Sequence, residues 1–328
     1  MKGQFRYYLI LFISCVIWGL TPICGRVLKD CMSPMLITGA RFYLVALVLF
    51  SLIVLLEGKK GLYLSRHDFF VLLLMGFVGI FLHNSLLFEA LRFTPASNAA
   101  LIESIGPSIT STLAFFVIGE RLSRIGWLGI FISCFGAGYI VCKGSLDTLL
   151  HFQINIGELI IIVCEAMWSC YVVISWKLSK NVNALAVTAW TGLFGAVFCT
   201  ITGFAFNELQ VYSITRTYII AFLVLSLLTG VVAFVFWNYA ITKVGASKGG
   251  TFVYLIPVFG AVFGVVLLGE DFSSKEFIGA LIVVAGMIIS VKAKLSVRPS
   301  SGSVAQIKQS LIEKERAQIH HGKDVLLQ

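Results

Sequence analysis

The chain has 328 residues, of which 58% are hydrophobic and only 12% are charged, and its mean hydropathy is +0.94. Soluble proteins carry about 25% charged residues, so the composition excludes a soluble globule and indicates a protein covered by lipid. The formal net charge of +9 does not indicate nucleic-acid binding, because the sequence contains no basic soluble domain.

Ten apolar stretches follow one another along the chain, each near the length of about 20 residues that crosses a bilayer. Because an α-helix satisfies its own backbone hydrogen bonds in lipid, we predict an all-α polytopic membrane protein with ten transmembrane helices. The first span follows Lys2 and Arg6 as a signal peptide would, but no cleavage site comes after it, so we expect it to be retained. The predicted spans are roughly 7–27, 34–56, 69–91, 99–119, 125–142, 157–177, 185–206, 217–240, 250–269 and 276–292.

Basic residues are distributed unevenly between the two sides of these spans. With the N-terminus inside, 18 of the 25 Lys and Arg residues lie on the inner side, 6 lie on the outer side, and Arg41 lies within a span. The positive-inside rule therefore predicts that both termini are cytoplasmic, and we expect the bacterial inner membrane as the location.

Several common chemistries have no motif in this chain. The eight cysteines form no C-x-x-C pair, so we predict neither a metal site nor redox chemistry. The H-E-x-x-H motif of zinc hydrolases and the G-x-x-x-x-G-K-[ST] phosphate loop of ATP-driven pumps are both missing from the sequence. We therefore expect no cofactor, no enzymatic activity and an energy source other than ATP.

The sequence repeats itself at an offset of 150 residues. Between residues 90 and 140 the two copies share ten identities in 51 positions without a gap. We divide the chain into five-helix repeats at 1–150 and 151–292, followed by a cytoplasmic tail at 293–328. Because five is odd, the second repeat enters from the opposite side, as in many transporters with inverted repeats. The aligned pairs include Trp18 with Trp168, Ala96-Ser97 with Ala246-Ser247, Pro107 with Pro257, and Gly119-Glu120 with Gly269-Glu270.

Several motifs resemble a known family. They are "IWGLTP" at residues 17–22, Pro34 with Arg41, "ALRFTPASNAALIESIGP" at 90–107, "GERLS" at 119–123 and the segment 240–271. The chain resembles the drug/metabolite transporter superfamily, in particular its EamA-domain members. This resemblance implies ten helices in two repeats and secondary transport, mostly the export of amino acids or other small metabolites. Thr191, which stands opposite Arg41, breaks the symmetry between the repeats.

Two charged residues fall deep within predicted spans. Arg41 lies about eight residues into the second span, and Glu165 lies at a similar depth in the sixth. A charge at such a depth costs roughly 2.5–3.5 kcal/mol even on lenient scales, so it must face protein or water. Arg41 is a candidate anchor for a substrate carboxylate, and Glu165 a candidate for its ammonium group or a proton. The alternatives are that the two residues only neutralise each other, or that Arg41 forms a structural bond to a helix end.

Three titratable residues, His83, Glu89 and Glu103, fall toward the outer halves of spans three and four. A histidine beside carboxylates can relay protons, and desolvation disfavours the charged form of a carboxylate. We therefore predict proton coupling through these three residues, with Asn84 as a neighbouring substrate contact. The alternative is a hydrogen-bonded cluster that only lines the external vestibule.

The remaining candidates lie at equivalent places in the two repeats. Trp18 and Trp168 could stack on an aromatic or cationic substrate, or could simply pack against neighbouring helices. Helix interruptions at matched positions point to a binding site, which makes Pro107 and Pro257 structural candidates and Asn238 and Tyr254 possible contacts. A further matched pair, Glu120 and Glu270, ends the fourth and ninth spans, either as simple turns or as gates that bond to the opposite repeat.

The sequence therefore predicts a secondary transporter, monomeric or homodimeric, whose partners are a small-molecule substrate and the lipid bilayer. An amino acid or related metabolite is the first expectation, moved by alternating access. The alternatives are a facilitator or exchanger for an amine drug, nucleobase or nucleotide sugar, and a channel-like permease.

Overall fold

The computed structural model describes residues 2–118, 123–141, 144, 155–178, 182–244, 252 and 255–296. In these ranges the chain is helical, apart from connections and one isolated bridge between Met32 and Val211. Two of the helices are π-helices, and one short 3-10 helix covers Lys59–Leu62.

The helices are numbered here in chain order. The first repeat contains α1 (Lys2–Trp18), α2 (Thr21–Leu28), α3 (Pro34–Glu57), α4 (Arg66–Met75), the first π-helix (Gly76–Leu82), α5 (His83–Ala90), α6 (Ala96–Glu103), α7 (Gly106–Ile118) and α8 (Arg124–Val141). The second contains α9 (Ile156–Leu178), α10 (Ala184–Ala205), α11 (Arg216–Leu223), the second π-helix (Val224–Val232), α12 (Ala233–Val244), α13 (Leu255–Leu268) and α14 (Ser274–Ser296).

Seven helical stretches of the described chain are long and apolar enough to cross a membrane, judged by length and composition. They coincide with predicted spans one to four and six to eight. Two shorter apolar helices, Arg124–Ile140 and Leu255–Leu268, coincide with spans five and nine. The last predicted span coincides with α14, which continues to Ser296. The chain is therefore a polytopic helical protein, and the count of ten spans stays a prediction.

Four of these stretches depart from a regular α-helix, two of them by a break and two by a π-helix. The first span breaks between α1 and α2 at Gly19, where an added Cβ would collide with Phe259. The fourth breaks at Ser104 and Ile105, and the next helix begins with Gly106 and Pro107. Proline is tolerated at that place because the first turn of a helix has no backbone partner for its missing N–H. The third and eighth spans each contain a π-helix instead of a break.

The two repeats meet along contacts that are reciprocal at the offset of 150. In α8 and α14, a Cβ added at Gly136 would meet Val283, and one added at Gly286 would meet Ser133. Ser133 also donates a hydrogen bond of 3.1 Å to the Val283 carbonyl. A contact of residue i with residue j that is repeated as j with i is the property of an interface on a two-fold axis.

A second reciprocal contact joins α3 to α10. Phe42 packs against Gly192, which is its own equivalent in the other repeat. The ends of this helix pair are also tied: Ser33 N–H donates to the Gln210 carbonyl at 2.9 Å at one end, and Asn183 donates to Glu57 at the other. The α3–α10 pair is thus held along its length, and it carries Arg41 into the middle of the bundle.

Candidate functional site

Arg41 is buried in the middle of the bundle, with 7% of its surface exposed. Its Nη1 donates to Asn84 Oδ1 at 3.3 Å, and its Nη2 donates to Thr229 Oγ1 at 3.4 Å. Both acceptors are neutral. The expected pairing of Arg41 with Glu165 is therefore wrong for this structure, because α3 presents Arg41 to the third and eighth spans and not to α9.

Glu165 has different neighbours. Only 6% of its surface is exposed, and its Oε1 lies 4.0 Å from His83 Nε2. Its other oxygen lies against Gly106, where an added Cβ would collide with it. Glu103 lies close enough to Glu165 for the two carboxyl groups to interact electrostatically. The structure thus brings His83, Glu103 and Glu165 together into one acidic cluster, and we use that name for these three residues.

Glu89, the third residue of the predicted outer group, lies outside the acidic cluster. Its Oε2 is 3.3 Å from Arg92 Nη1, and its side chain is 36% exposed. Six residues of helix separate it from His83, a rise of about 9 Å, which accounts for the difference. A surface pair of this kind contributes little to stability.

An aromatic wall borders the acidic cluster. The Trp168 ring stacks on Tyr171 with a centroid distance of 4.9 Å and an interplanar angle of 12°. Its centroid lies 5.3 Å from that of His83, and 37% of Trp168 is exposed. Sequence reasoning missed Tyr171. The signal was its spacing, because residues 165, 168 and 171 follow one face of α9 at three-residue intervals.

The matched tryptophan has other neighbours. Trp18 packs on Trp237, with centroids 5.2 Å apart, and on Phe234. Its Nε1 donates to the Thr229 carbonyl at 3.1 Å. Because Thr229 also accepts from Arg41, Trp18 is linked to the buried arginine but has no described contact with the acidic cluster. Thr229 was also missed from the sequence.

Glu270 joins the two repeats at one end of the bundle. Its carboxylate accepts hydrogen bonds from the backbone N–H groups of Ala96 at 2.7 Å and Ser97 at 2.8 Å. A carboxylate at a helix N-terminus satisfies free donors and complements the helix dipole. Nearby, Gly260 and Gly264 of α13 lie so close to α6 that an added Cβ would collide with it. We call Glu270 and these packed faces the α6–α13 seam.

Three predicted candidates have no described side chain here. Glu120 and Tyr254 lie outside the described residues, and Asn238 belongs to α12 without a described side-chain position. Pro257 lies in the first turn of α13 and is buried.

Comparisons with known proteins agree with this architecture. A model of the EamA-like transporter family matches the chain twice, over residues 5–142 and 155–292. The uncharacterized transporter YyaM of Bacillus subtilis is 28% identical over 282 residues, which cover 86% of this chain and 92% of that protein.

Two further similarities concern function and fold separately. A protein named probable amino-acid metabolite efflux pump, from Salmonella typhimurium, is 26% identical over 294 residues, or 86% of this chain and 93% of that one. A crystal structure superimposes with a TM-score of 0.63 at 20% identity, covering 90% of this chain and 100% of the other, and at that identity it supports the fold alone.

Proposed function

This chain belongs to the EamA-like transporter family, and from that premise we propose that it exports amino acids or related small metabolites by alternating access. The EamA-like family model and the relatives establish membrane transport as the activity. The amino-acid class is supported by the name of the Salmonella typhimurium relative. Two repeats on a pseudo-two-fold axis can exchange conformations, which is the usual basis of alternating access.

The acidic cluster beside the aromatic wall is the observation that carries this proposal. Buried ionisable residues in a transmembrane bundle are costly and are retained mainly on substrate or ion pathways. Within the described chain, the Glu103 and Glu165 carboxyls have no Lys or Arg within salt-bridge distance. A protonated amine or a proton supplies the missing positive charge, and Trp168 with Tyr171 offers a surface for an apolar or aromatic side chain.

The acidic cluster also couples transport to the proton gradient. Glu165 faces His83 of α5 and Glu103 of α6, and Arg41 of α3 lies within electrostatic range of His83. When substrate leaves outward, a proton from outside replaces its ammonium group on the carboxylates. When the site opens inward, that proton is released and the next substrate binds. Transport is then proton-for-substrate exchange.

The proposed transport mechanism requires a particular membrane topology. We propose ten spans with both termini cytoplasmic in a bacterial inner membrane, with the repeats 1–150 and 151–292 in opposite orientation. Reporter fusions after Lys143 and after Arg298 should then report opposite sides of the membrane. The same side for both would contradict the inverted orientation.

The decisive test is transport by purified protein in proteoliposomes. A panel of amino acids, amines, nucleobases and nucleotide sugars is loaded one at a time, with and without a pH gradient. We expect amino-acid or amine flux that the gradient drives, and Glu165→Gln to abolish it. A gradient-independent flux would identify a facilitator, and no flux of any member in sound vesicles would contradict the proposed substrate class.

A further inference from the structure

The two π-helices occupy equivalent places in the repeats. The first covers Gly76–Leu82 and the second covers Val224–Val232, so at the offset of 150 the first coincides with residues 226–232 of the second. A π-helix widens the turn and departs from the regular α-helical hydrogen-bond pattern, and such segments are frequent at functional sites. The eight other predicted spans have no described π-helix.

In each π-helix one described carbonyl accepts a hydrogen bond from a side-chain N–H, and these two carbonyls are equivalent. Asn84 Nδ2 donates to the Gly79 carbonyl at 3.2 Å. Trp18 Nε1 donates to the Thr229 carbonyl at 3.1 Å. Positions 79 and 229 differ by 150, so the same point of each widened turn is held by a side-chain N–H.

Arg41 connects these two points. One of its terminal nitrogens donates to Asn84, the residue that holds the first π-helix, and the other donates to Thr229 within the second. The planar guanidinium suits this arrangement because its donors point in fixed, divergent directions. Thr191, at the equivalent position of α10, instead donates a hydrogen bond of 2.8 Å to the Val187 carbonyl of its own helix. Arg41, on the α3–α10 pair, is therefore hydrogen-bonded to the second π-helix directly and to the first through Asn84.

We propose that Arg41 is a positioning residue that couples the two π-helices, so that the third and eighth spans change conformation together, and that it does not bind the substrate. This inference rests on the proposed transport function. Hydrogen bonds from a charged donor are stronger than neutral ones and gain further strength where water is excluded. Breaking either arm leaves one π-helix free to move without the other.

Kinetics separate this role from that of a substrate anchor. Arg41→Lys and Thr229→Val each remove an arm, and we expect Vmax to fall about tenfold while KM stays within about twofold, for every transported substrate. Thr188→Val is the matched control. Thr188 Oγ1 donates to the Ala184 carbonyl of its own helix at 3.1 Å, as Thr229 Oγ1 does to the Leu225 carbonyl at 2.6 Å, but among the described residues Thr188 accepts no hydrogen bond from an arginine. A raised KM with unchanged Vmax, confined to substrates that carry a carboxylate, would overturn the proposal.

A second measurement does not depend on transport. Ser97→Cys places a thiol in the α6–α13 seam, where Ser97 is fully buried. When a membrane-impermeant maleimide labels this variant faster than the parent, the difference reports opening of the α6–α13 seam. The labelling rate is then measured in Asn84→Leu, in Thr229→Val and in the double variant, each with and without Arg41→Gln.

Coupling predicts that either single change alters the labelling rate about as much as both together, and that neither adds to Arg41→Gln. Independent, additive effects would overturn the proposal. If the parent transports no substrate of the panel, the proposed function fails, whereas the labelling cycle still decides the coupling.

Discussion

The surroundings of Trp18 and Trp168 differ, although the two residues occupy equivalent places. Around Trp168 lie a histidine, two carboxylates and a tyrosine. Around Trp18 lie Trp237 and Phe234, and its only described hydrogen bond goes to a backbone carbonyl. The offset of 150 places Cys15 opposite Glu165, Ala233 opposite His83, and Phe234 opposite Asn84.

This difference shows that the two repeats share their packing contacts but not the titratable residues beside the matched tryptophans. The helix pairs on the axis, α3 with α10 and α8 with α14, keep reciprocal contacts because the two repeats exchange similar roles. A second set of buried charges would add its own desolvation cost without adding a second pathway. In the described part of the chain the scaffold is therefore symmetric, and of the two tryptophan sites only that of Trp168 contains a histidine with carboxylates.

The largest effect should come from removing a charge on the Trp168 side. Glu165→Gln keeps the size of the side chain but cannot bind an ammonium group as a carboxylate does or exchange a proton, so we expect substrate flux to fall at least about 100-fold. Cys15→Ser, the equivalent change on the Trp18 side, should leave flux within about twofold. Equal losses in flux assays would show that both sides carry the chemistry.

The tryptophans themselves should separate binding from conformational change. Trp168→Phe shrinks the aromatic wall, and we expect KM to rise about tenfold with little change in Vmax. Trp18→Phe removes the hydrogen bond to the Thr229 carbonyl, so Vmax should fall and KM should stay. Concentration-dependent uptake measured for both variants checks this, and a raised KM in Trp18→Phe would place substrate on both sides.

A smaller effect is expected at the α6–α13 seam. Glu270→Gln removes the charge and one of two acceptors, so labelling of the Ser97→Cys variant from outside should accelerate about fivefold. Glu276→Gln is the control, because Glu276 accepts from Ser273 N–H at 2.7 Å within its own repeat. If the Ser97→Cys thiol is labelled at the same rate with Glu270→Gln as with Glu276→Gln, the α6–α13 seam does not act as a gate.

The smallest effects should be equal in the two repeats. Gly136→Ala and Gly286→Ala each force a Cβ into the backbone of the partner helix, and each should lower the unfolding free energy by about 1–3 kcal/mol. Thermal denaturation in detergent measures both losses. Unequal losses would show that the two halves of the α8–α14 contact contribute unequally to stability.

The sequence predicted the seven long apolar helices and the two repeats because both depend on composition and on spacing along the chain. It placed Glu89 with His83 because both fall in the outer half of the same predicted span, although six residues of helix keep them apart. It paired Arg41 with Glu165 because opposite charges at equal depth suggest a contact. The rotation of α3 about its axis decides the partner, and neither periodicity nor charge specifies that rotation. Thr229 carries no charge, so nothing in the sequence singled it out.

The central claim is that the acidic cluster exchanges a proton for substrate. Substrate efflux is measured in proteoliposomes at a fixed substrate gradient, with the pH gradient imposed in each direction, for the parent, Glu103→Gln and Glu89→Gln. We predict that an acidic external side accelerates efflux in the parent and in Glu89→Gln, whose residue is paired with Arg92 outside the cluster, and has no effect in Glu103→Gln. Parent efflux that is the same in both directions of the pH gradient would contradict the account.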